Sequence, residues 1–179
     1  TTVYKSDTLA SRLRELAYLN KGIRITLTDL REKVDEFVTA EDGERKATGN
    51  QVFRSEVFYS EHSLKEFIDY LDAGEEKLVP DAICVNTDKI IPIDIALQYN
   101  TGFRERIYSY VNNIHTIEGG THLQGFKMGL SRSLKNYAEK NNLLAKFKGE
   151  LSPEDFREGL TAVISVKVAE PQFEGQTKT

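Results

Sequence analysis

The chain has 179 residues and a mass of 20.3 kDa; 39% of the residues are hydrophobic, 29% are charged, and the mean hydropathy is −0.45. This composition excludes a disordered chain, and the lack of any apolar run near the roughly 20 residues of a membrane helix excludes a helical membrane protein. The single cysteine, Cys84, excludes a disulfide framework and a cysteine-based zinc site, and it predicts a reducing cytosolic setting. Because the chain opens at Thr1 without a methionine, we expect it to be part of a longer protein.

The net charge of −4 is unevenly distributed along the chain. Between Gly120 and Gly149 there are six lysines and arginines and one glutamate, so this segment carries +5 and the remainder −9. A basic segment on an acidic protein is typical of a surface that meets a polyanion. A solvated helix face has the same pattern, so the charge alone leaves both interpretations open.

The first part of the chain predicts a helix followed by a pair of strands. Apolar residues at helical spacing predict the helix over 6–20, with Ser6 or Asp7 capping its start. Alternating apolar residues predict short strands over 23–27 and 52–59. The charged stretch between these strands is predicted to be the elaborated, mobile tip of a hairpin.

A boundary is predicted near residue 61, and the elements after it alternate between helix and strand. Ser63 and Glu66 form a capping box for an amphipathic helix that ends near Gly74. The later expected elements are strands at 82–86, 91–99 and 104–113, a helix from about 121 to 142, a short helix begun by 152–155, and a strand at 160–168. Together they predict an α+β fold with its helices on one face of a largely antiparallel or mixed sheet.

The long helix is expected to bury one stripe and to expose its basic residues. A capping role at its start is assigned to Thr121, which follows two glycines. The predicted buried stripe consists of Leu123, Phe126, Leu130, Leu134 and Tyr137.

Few residues suggest chemistry by their spacing alone. There is no phosphate loop, dinucleotide fingerprint, nucleophile elbow or HExxH motif, and His62, His115 and His122 match no common metal-ligand spacing, so no metal site is predicted. His122 follows Gly119, Gly120 and Thr121, where it could help to bind an anion or form a structural start of the helix. In the tail, Gln176 and Lys178 could reach a phosphate or could be ordinary solvated side chains.

Three segments resemble motifs of bacterial type IIA topoisomerase B subunits, in the order of that family. Residues 118–126, EGGTHLQGF, resemble its EGGTHxxGF signature, and 171–178, PQFEGQTK, resemble its P-x-F-x-x-Q-T-K loop. Residues 12–22, RLRELAYLNKG, resemble its RxRELAxLNxG helix. The sequence LAYLN at residues 16–20 favours the gyrase branch of this family over the topoisomerase IV branch.

The resemblance implies two incomplete domains. Residues 1–60 would be the last helix and strand pair of a Bergerat (GHKL) ATPase domain. Residues 61–179 would form a transducer domain with a left-handed βαβ crossover, truncated after the Q-T-K loop. ATP and Mg²⁺ would be bound mainly by residues upstream of this chain, so this part alone is expected to hold no cofactor and to be inactive. The region 31–53 is longer than in many relatives and has no implied role.

The resemblance also implies site residues and partners. Lys178 would contact the γ-phosphate of ATP as a catalytic cation, with Gln176 beside it. Lys127 stands at a position where the family often has an arginine that lines the DNA cavity. With Arg132 and Lys135 it would contact the transported DNA. A lysine keeps the positive charge of the arginine but cannot form its bidentate hydrogen bonds to a phosphate. The implied partners are double-stranded DNA, the gyrase A protein and a second copy of the gyrase B protein. The two B proteins would join on ATP binding, within an A2B2 enzyme. The implied location is the bacterial cytoplasm, at the nucleoid and not at a membrane.

Three alternatives remain at this stage. The chain could belong to the B protein of topoisomerase IV. It could instead be a stand-alone nucleic-acid-binding module of the same fold, which would bind DNA through the +5 segment without any need for nucleotide. A small phosphate-ester enzyme using His122 and Lys178 is the third, although the sequence shows no nucleophile or base for it.

Overall fold

The computed structural model describes residues 4–41, 43–145 and 147–175, which divide into two compact units between Ser63 and Leu64. The elements in chain order are α1 (Ser6–Leu19), β1 (Ile25–Thr39), β2 (Arg45–Phe58), α2 (Leu64–Leu71), β3 (Ile83–Thr87), β4 (Ile93–Tyr99), β5 (Arg106–Val111), β6 (Ile114–His115), α3 (Thr121–Lys140), a 3₁₀ turn (Asp155–Arg157) and β7 (Leu160–Val166). Of the helices in these ranges, none combines the length and the apolar character needed to cross a bilayer.

The N-terminal unit is one helix packed on a two-stranded hairpin. The predicted helix is confirmed, since α1 turns Ala10, Leu13 and Ala17 toward Phe58 and Ile25 at the base of the hairpin. Of the apolar residues whose spacing predicted the helix, Leu13 and Ala17 belong to this cluster, whereas Leu9 is 39% exposed.

The hairpin itself is much longer than expected. β1 and β2 pair antiparallel from Ile25↔Phe58 to Thr39↔Arg45, with register shifts on the way, so that the turn comprises only the few residues after Thr39. The predicted strands were therefore too short, and the segment assigned to a mobile tip is mostly paired strand. The pattern failed because most side chains of both strands are exposed, and a ribbon without a buried face shows no apolar alternation.

The predicted side-chain cap of α1 is wrong. Ser6 is the first helical residue, and its hydroxyl donates to the Asp29 carboxylate and accepts a hydrogen bond from Arg31 at 3.1 Å. Arg31 also donates to both carboxylate oxygens of Asp29, through Nε at 2.8 Å and through Nη2 at 2.6 Å. These hydrogen bonds, from Arg31 first and Ser6 second, hold the pKa of Asp29 well below its usual range, so the helix start is tied to the hairpin by a permanent carboxylate.

The C-terminal unit is built on a five-stranded mixed sheet with the order β3-β4-β7-β5-β6. β4 pairs antiparallel with β3 and β7, whereas β5 and β7 run parallel and are joined through α3, which makes a βαβ unit. The α+β class and the mixed sheet are confirmed, and the predicted strands differ from β3, β4, β5 and β7 by about two residues at their ends. All seven residues of the central strand β7 are buried.

The two helices of this unit lie on opposite faces of the sheet, so the expectation that the helices gather on one face is wrong. Phe126 and Leu130 of α3 pack on the face formed by the even-numbered residues of β7, including Leu160 and Ala162. Phe67 of α2 instead contacts the rings of Tyr108 and Tyr110, which the β5–β7 register places on the other face. Sequence alternation missed this second face because its β4 and β7 positions include polar residues that looked solvent-exposed.

The start and the buried stripe of α3 differ from expectation. Gly120, with φ +153°, occupies the cap position without a side-chain hydrogen bond, and Thr121 is the first helical residue, so Thr121 is not the cap. Leu123, Phe126, Leu130 and Leu134 of the predicted buried stripe are half-buried. Tyr137 is 62% exposed, however, and Ser131 and Ala138 are the buried residues of the helix.

Two shorter helix starts also depart from expectation. Ser63 has φ +52°, and its hydroxyl donates to the Tyr18 carbonyl at 2.7 Å within the N-terminal unit, so it does not act as the simple cap that was predicted. The helix predicted after Ser152 is a single 3₁₀ turn. Ser152 and Asp155 nevertheless pair reciprocally at its start: the Ser152 N–H donates to Asp155 Oδ2 at 2.7 Å, and the Asp155 N–H donates to Ser152 Oγ at 3.4 Å.

Candidate functional site

The outer face of α3 is the first candidate surface. Arg132 and Lys135 are exposed there, as the sequence predicted for basic residues lying off the buried stripe. Gly125 and Gly129 lie on the same helix, and a Cβ at either position would meet no atom within 4 Å beyond its chain neighbours and the helix backbone. The buried side of α3 is anchored near its middle, because the buried Ser131 hydroxyl donates to the Pro153 carbonyl at 2.8 Å. This part of α3 therefore presents cations and an open backbone on a fixed helix.

Lys127 differs from these two cations because it is held in an ion-pair cluster. Its ammonium lies 2.5 Å from one oxygen of Glu105, and the other oxygen accepts from Arg157 Nε at 3.0 Å. Arg157 is only 7% exposed and also donates to Ser131 at 2.9 Å. Burial opposes ionisation of Glu105, but the hydrogen bonds from Lys127 and Arg157 outweigh it and lower its pKa.

Part of the Lys127 charge is therefore already balanced within the protein. Glu105 lies between β4 and β5, and 22 residues separate it from Lys127 along the chain. A pair at this separation leaves no helical or strand spacing that a sequence pattern could have detected.

The start of α3 is attached to β5 through buried hydroxyls. The Ser109 and Thr116 hydroxyls lie 2.6 Å apart, and Thr116 Oγ1 lies 3.3 Å from His122 Nε2. Burial lowers the pKa of His122, which favours the neutral imidazole. A neutral, half-buried ring on a buried threonine is suited to holding the helix start rather than to binding an anion.

The glycines before α3 have a conformational reason. Gly119 has φ +87°, and a Cβ at this position would lie 2.8 Å from Leu123 Cδ2. Both the left-handed backbone and the close approach of the helix favour glycine here.

The tail after β7 is the second candidate region. It is described as far as Gly175, so Gln176 and Lys178 lie outside the described residues, and their predicted roles stay predictions. Two of its residues, Val168 and Phe173, pack against the cluster formed by Val111, Ile164 and Val166. The root of the tail is therefore seated on the sheet close to the first turns of α3.

A buried polar cluster at the other face of the sheet was missed altogether. The Asp72 carboxylate is 1% exposed and accepts hydrogen bonds from Thr161 at 2.6 Å and from Arg106 at 2.7 Å. The Asn100 amide lies 3.3 Å from the same carboxylate. The cluster joins the end of α2 to three strands, which suits a structural role.

The described ranges contain no group of three or more histidine, cysteine, aspartate or glutamate side chains that could hold a metal ion. They also contain no phosphate loop.

Comparison with known proteins links these features to one family. The DNA gyrase B family model matches residues 63–179. The DNA gyrase B protein of Cytophaga hutchinsonii is 55% identical over 177 residues, which cover 98% of this chain and 34% of the relative. The DNA gyrase B protein of Clostridium acetobutylicum is 49% identical over 180 residues, covering 99% and 25%. The chain thus spans about a third or less of the length of these curated relatives.

Solved structures share the fold over nearly the whole chain. The 43K ATPase domain of Thermus thermophilus gyrase B, crystallised with an aminocoumarin, matches with a TM-score of 0.76 and 29% identity, over 97% of this chain and 42% of that one. The topoisomerase IV ATP-binding domain of Francisella tularensis, in complex with a small-molecule inhibitor, matches with a TM-score of 0.69 and 25% identity, over 99% and 42%. Both branches of the enzyme family therefore contain this arrangement of elements.

Proposed function

Because the chain belongs to the DNA gyrase B family, we propose that it is part of the ATP-operated clamp of a type II DNA topoisomerase. The match of the family model to residues 63–179 is the observation that carries this proposal. The activity would belong to the longer protein, and this part alone would not hydrolyse ATP. The gyrase branch is favoured over topoisomerase IV by the relatives with 55% and 49% identity.

We assign residues 1–60 to the end of a GHKL ATPase domain and 61–179 to a transducer domain. The division of the structure between Ser63 and Leu64 supports a boundary in this region, and so does the start of the family match at residue 63. The parallel β5–α3–β7 unit is consistent with the βαβ crossover of a transducer.

Lys178 and Gln176 are proposed to contact the terminal phosphate of ATP, which with Mg²⁺ would be held mainly by upstream residues. In phosphoryl transfer to water, negative charge spreads over the oxygens of the transferred group, and a positioned cation stabilises it. A lysine suits this task as a compact charge on a flexible stem. The seated tail root, with Val168 and Phe173 packed on the sheet, would give this lysine a fixed starting point.

The α3 face is proposed to contact the transported DNA through Lys127, Arg132 and Lys135. Contacts with phosphates and not with base edges suit an enzyme that passes DNA of any sequence. Arg132 and Lys135 offer exposed charges, whereas Lys127 would have to share its charge with Glu105, 2.5 Å away. The remaining proposed partners are the gyrase A protein and a second copy of the gyrase B protein, in the bacterial cytoplasm at the nucleoid.

The full-length protein, combined with its gyrase A partner, is expected to introduce negative supercoils into relaxed circular DNA only when ATP is present. Gel electrophoresis of the DNA with and without ATP measures this directly. Relaxation or decatenation without supercoiling would assign the protein to topoisomerase IV instead. DNA binding with no ATP-dependent change of topology would support the stand-alone binding module and contradict the clamp.

Lys135→Ala and Lys127→Ala are expected to differ in their effect on DNA binding. Loss of one phosphate contact reduces the slope of log affinity against log salt by about 0.9, which is the expectation for Lys135. Lys127→Ala is expected to change the slope by less than half as much, because Glu105 already balances its charge. Titration of duplex DNA at several salt concentrations tests this, and equal slopes for the two variants would mean that the ion pair opens on DNA.

A further inference from the structure

The turn between β5 and β6 holds the tail by a side chain that no motif singled out. Asn112 and Asn113 form this turn in left-handed conformations, with φ of +49° and +63°. The backbone N–H of Asn112 donates to the Val166 carbonyl at 2.9 Å, which continues the parallel β5–β7 ladder by one bond. The ladder between main chains ends there.

The Asn112 side chain then continues the pairing where the strand has turned away. Its Nδ2 donates to the Val168 carbonyl at 2.8 Å, and its Oδ1 accepts from the Val168 N–H at 2.9 Å. Both main-chain groups of Val168 are thus bound by one amide, as a neighbouring strand would bind them. Lys167, between the two bound residues, has its own N–H on the Pro92 carbonyl at 3.0 Å.

The fixed root lies against the start of α3. Val168 and Phe173 of the tail share one apolar cluster with Leu123 and Phe126, which belong to the first turns of that helix. Lys178 follows Phe173 by five positions, and an extended chain spans at most about 3.6 Å per residue. A seated Phe173 therefore limits the distance between the Cα atoms of Phe173 and Lys178 to about 18 Å. If the tail were held only as far as Val166, the same limit would be about 43 Å.

We propose that Asn112 is a positioning residue, whose amide fixes the root of the tail, so that the segment that carries Lys178 leaves the sheet from a defined point at Val168. The inference rests on the proposed contact of Lys178 with the terminal phosphate of ATP. Asn112 touches neither the nucleotide nor DNA in this proposal and acts through the tail. Its loss would leave the nucleotide pocket intact but lower the fraction of molecules in which Lys178 is engaged.

Asn112→Gly separates this role from backbone strain. Glycine accepts a φ of +49° without cost, so the variant removes the amide and leaves the turn. Asn142→Gly is the matched control, since Asn142 is also left-handed, with φ +54°, but is exposed beyond the C-terminal end of α3. Asn112→Asp is the second variant; it retains an acceptor for the Val168 N–H and loses the donor.

In the full-length protein, Asn112→Gly is expected to speed hydrogen exchange of the Val168 amide about tenfold, since a hydrogen bond of ordinary strength is lost. ATP turnover is expected to fall about threefold to tenfold with ATP affinity unchanged, as loss of an engaged population predicts. Asn112→Asp should lie between wild type and Asn112→Gly, and Asn142→Gly should match wild type in both measurements.

Three results would overturn the proposal. Unchanged exchange at Val168 in Asn112→Gly would mean that the amide does not hold the root. Faster exchange with wild-type turnover, while Lys178→Ala is inactive, would mean that the root does not position the lysine. Wild-type turnover of Lys178→Ala would contradict the proposed phosphate contact itself, and the positioning role with it, whereas the exchange measurement would still report whether Asn112 holds the root.

Discussion

Lys178→Ala is expected to lower ATP turnover by the full-length protein about a hundredfold or more, while ATP binding is largely retained. The reason is that a cation placed at the terminal phosphate interacts most strongly with the charge of the transition state. Binding energy for the rest of the nucleotide would come from upstream residues. Steady-state hydrolysis, with nucleotide affinity measured in parallel, separates the two effects.

The matched control for this change is Lys167→Ala. Lys167 is an exposed lysine in the root of the same tail, so its variant removes the same charge without removing the proposed phosphate contact. Wild-type turnover is expected for it. If Lys178→Ala also hydrolysed ATP at the wild-type rate, the tail would have no catalytic part, even though the family assignment would stand.

Asp72→Ala is expected to be among the most destabilising single changes in the C-terminal unit, by about 3 kcal/mol of unfolding free energy. It would leave Thr161 and Asn100 without their buried acceptor and would remove the partner 2.7 Å from Arg106. The Arg106 side chain is 31% exposed and can turn partly to water, so the value lies at the lower end of the range for a broken buried pair. Urea unfolding of the 179-residue chain measures the difference.

Glu75→Ala provides a comparison at the same arginine. Glu75 also pairs with Arg106, at 3.3 Å, but its side chain is 43% exposed. An exposed pair of this kind contributes about 0.5 kcal/mol or less, so the two variants should differ several-fold. Similar losses would indicate that the Asp72 cluster contributes as charge alone and not as a buried hydrogen-bonded unit.

The sequence by itself determined those parts of the protein that depend on near neighbours in the chain. α1 followed from apolar residues at helical spacing, part of which pack on the hairpin. β7 followed from a short run rich in β-branched residues, as expected of a central strand buried on both faces. The glycines before α3 and the tail motif identified the family because they are contiguous segments. The exposure of Arg132 and Lys135 followed from their place off the helix stripe.

The tertiary structure alone decided which distant groups meet. Asp72 with Thr161, Lys127 with Glu105, and Asn112 with Val168 are each joined across at least 22 residues, and no local pattern records such a contact. The second buried face of the sheet was not predicted because polar residues in its strands, such as Thr161, bond to the buried Asp72 carboxylate and not to water. The full length of the hairpin was not predicted because its strands pair through backbone hydrogen bonds while most of their side chains stay exposed. Such pairing produces no alternation of apolar and polar residues in the sequence.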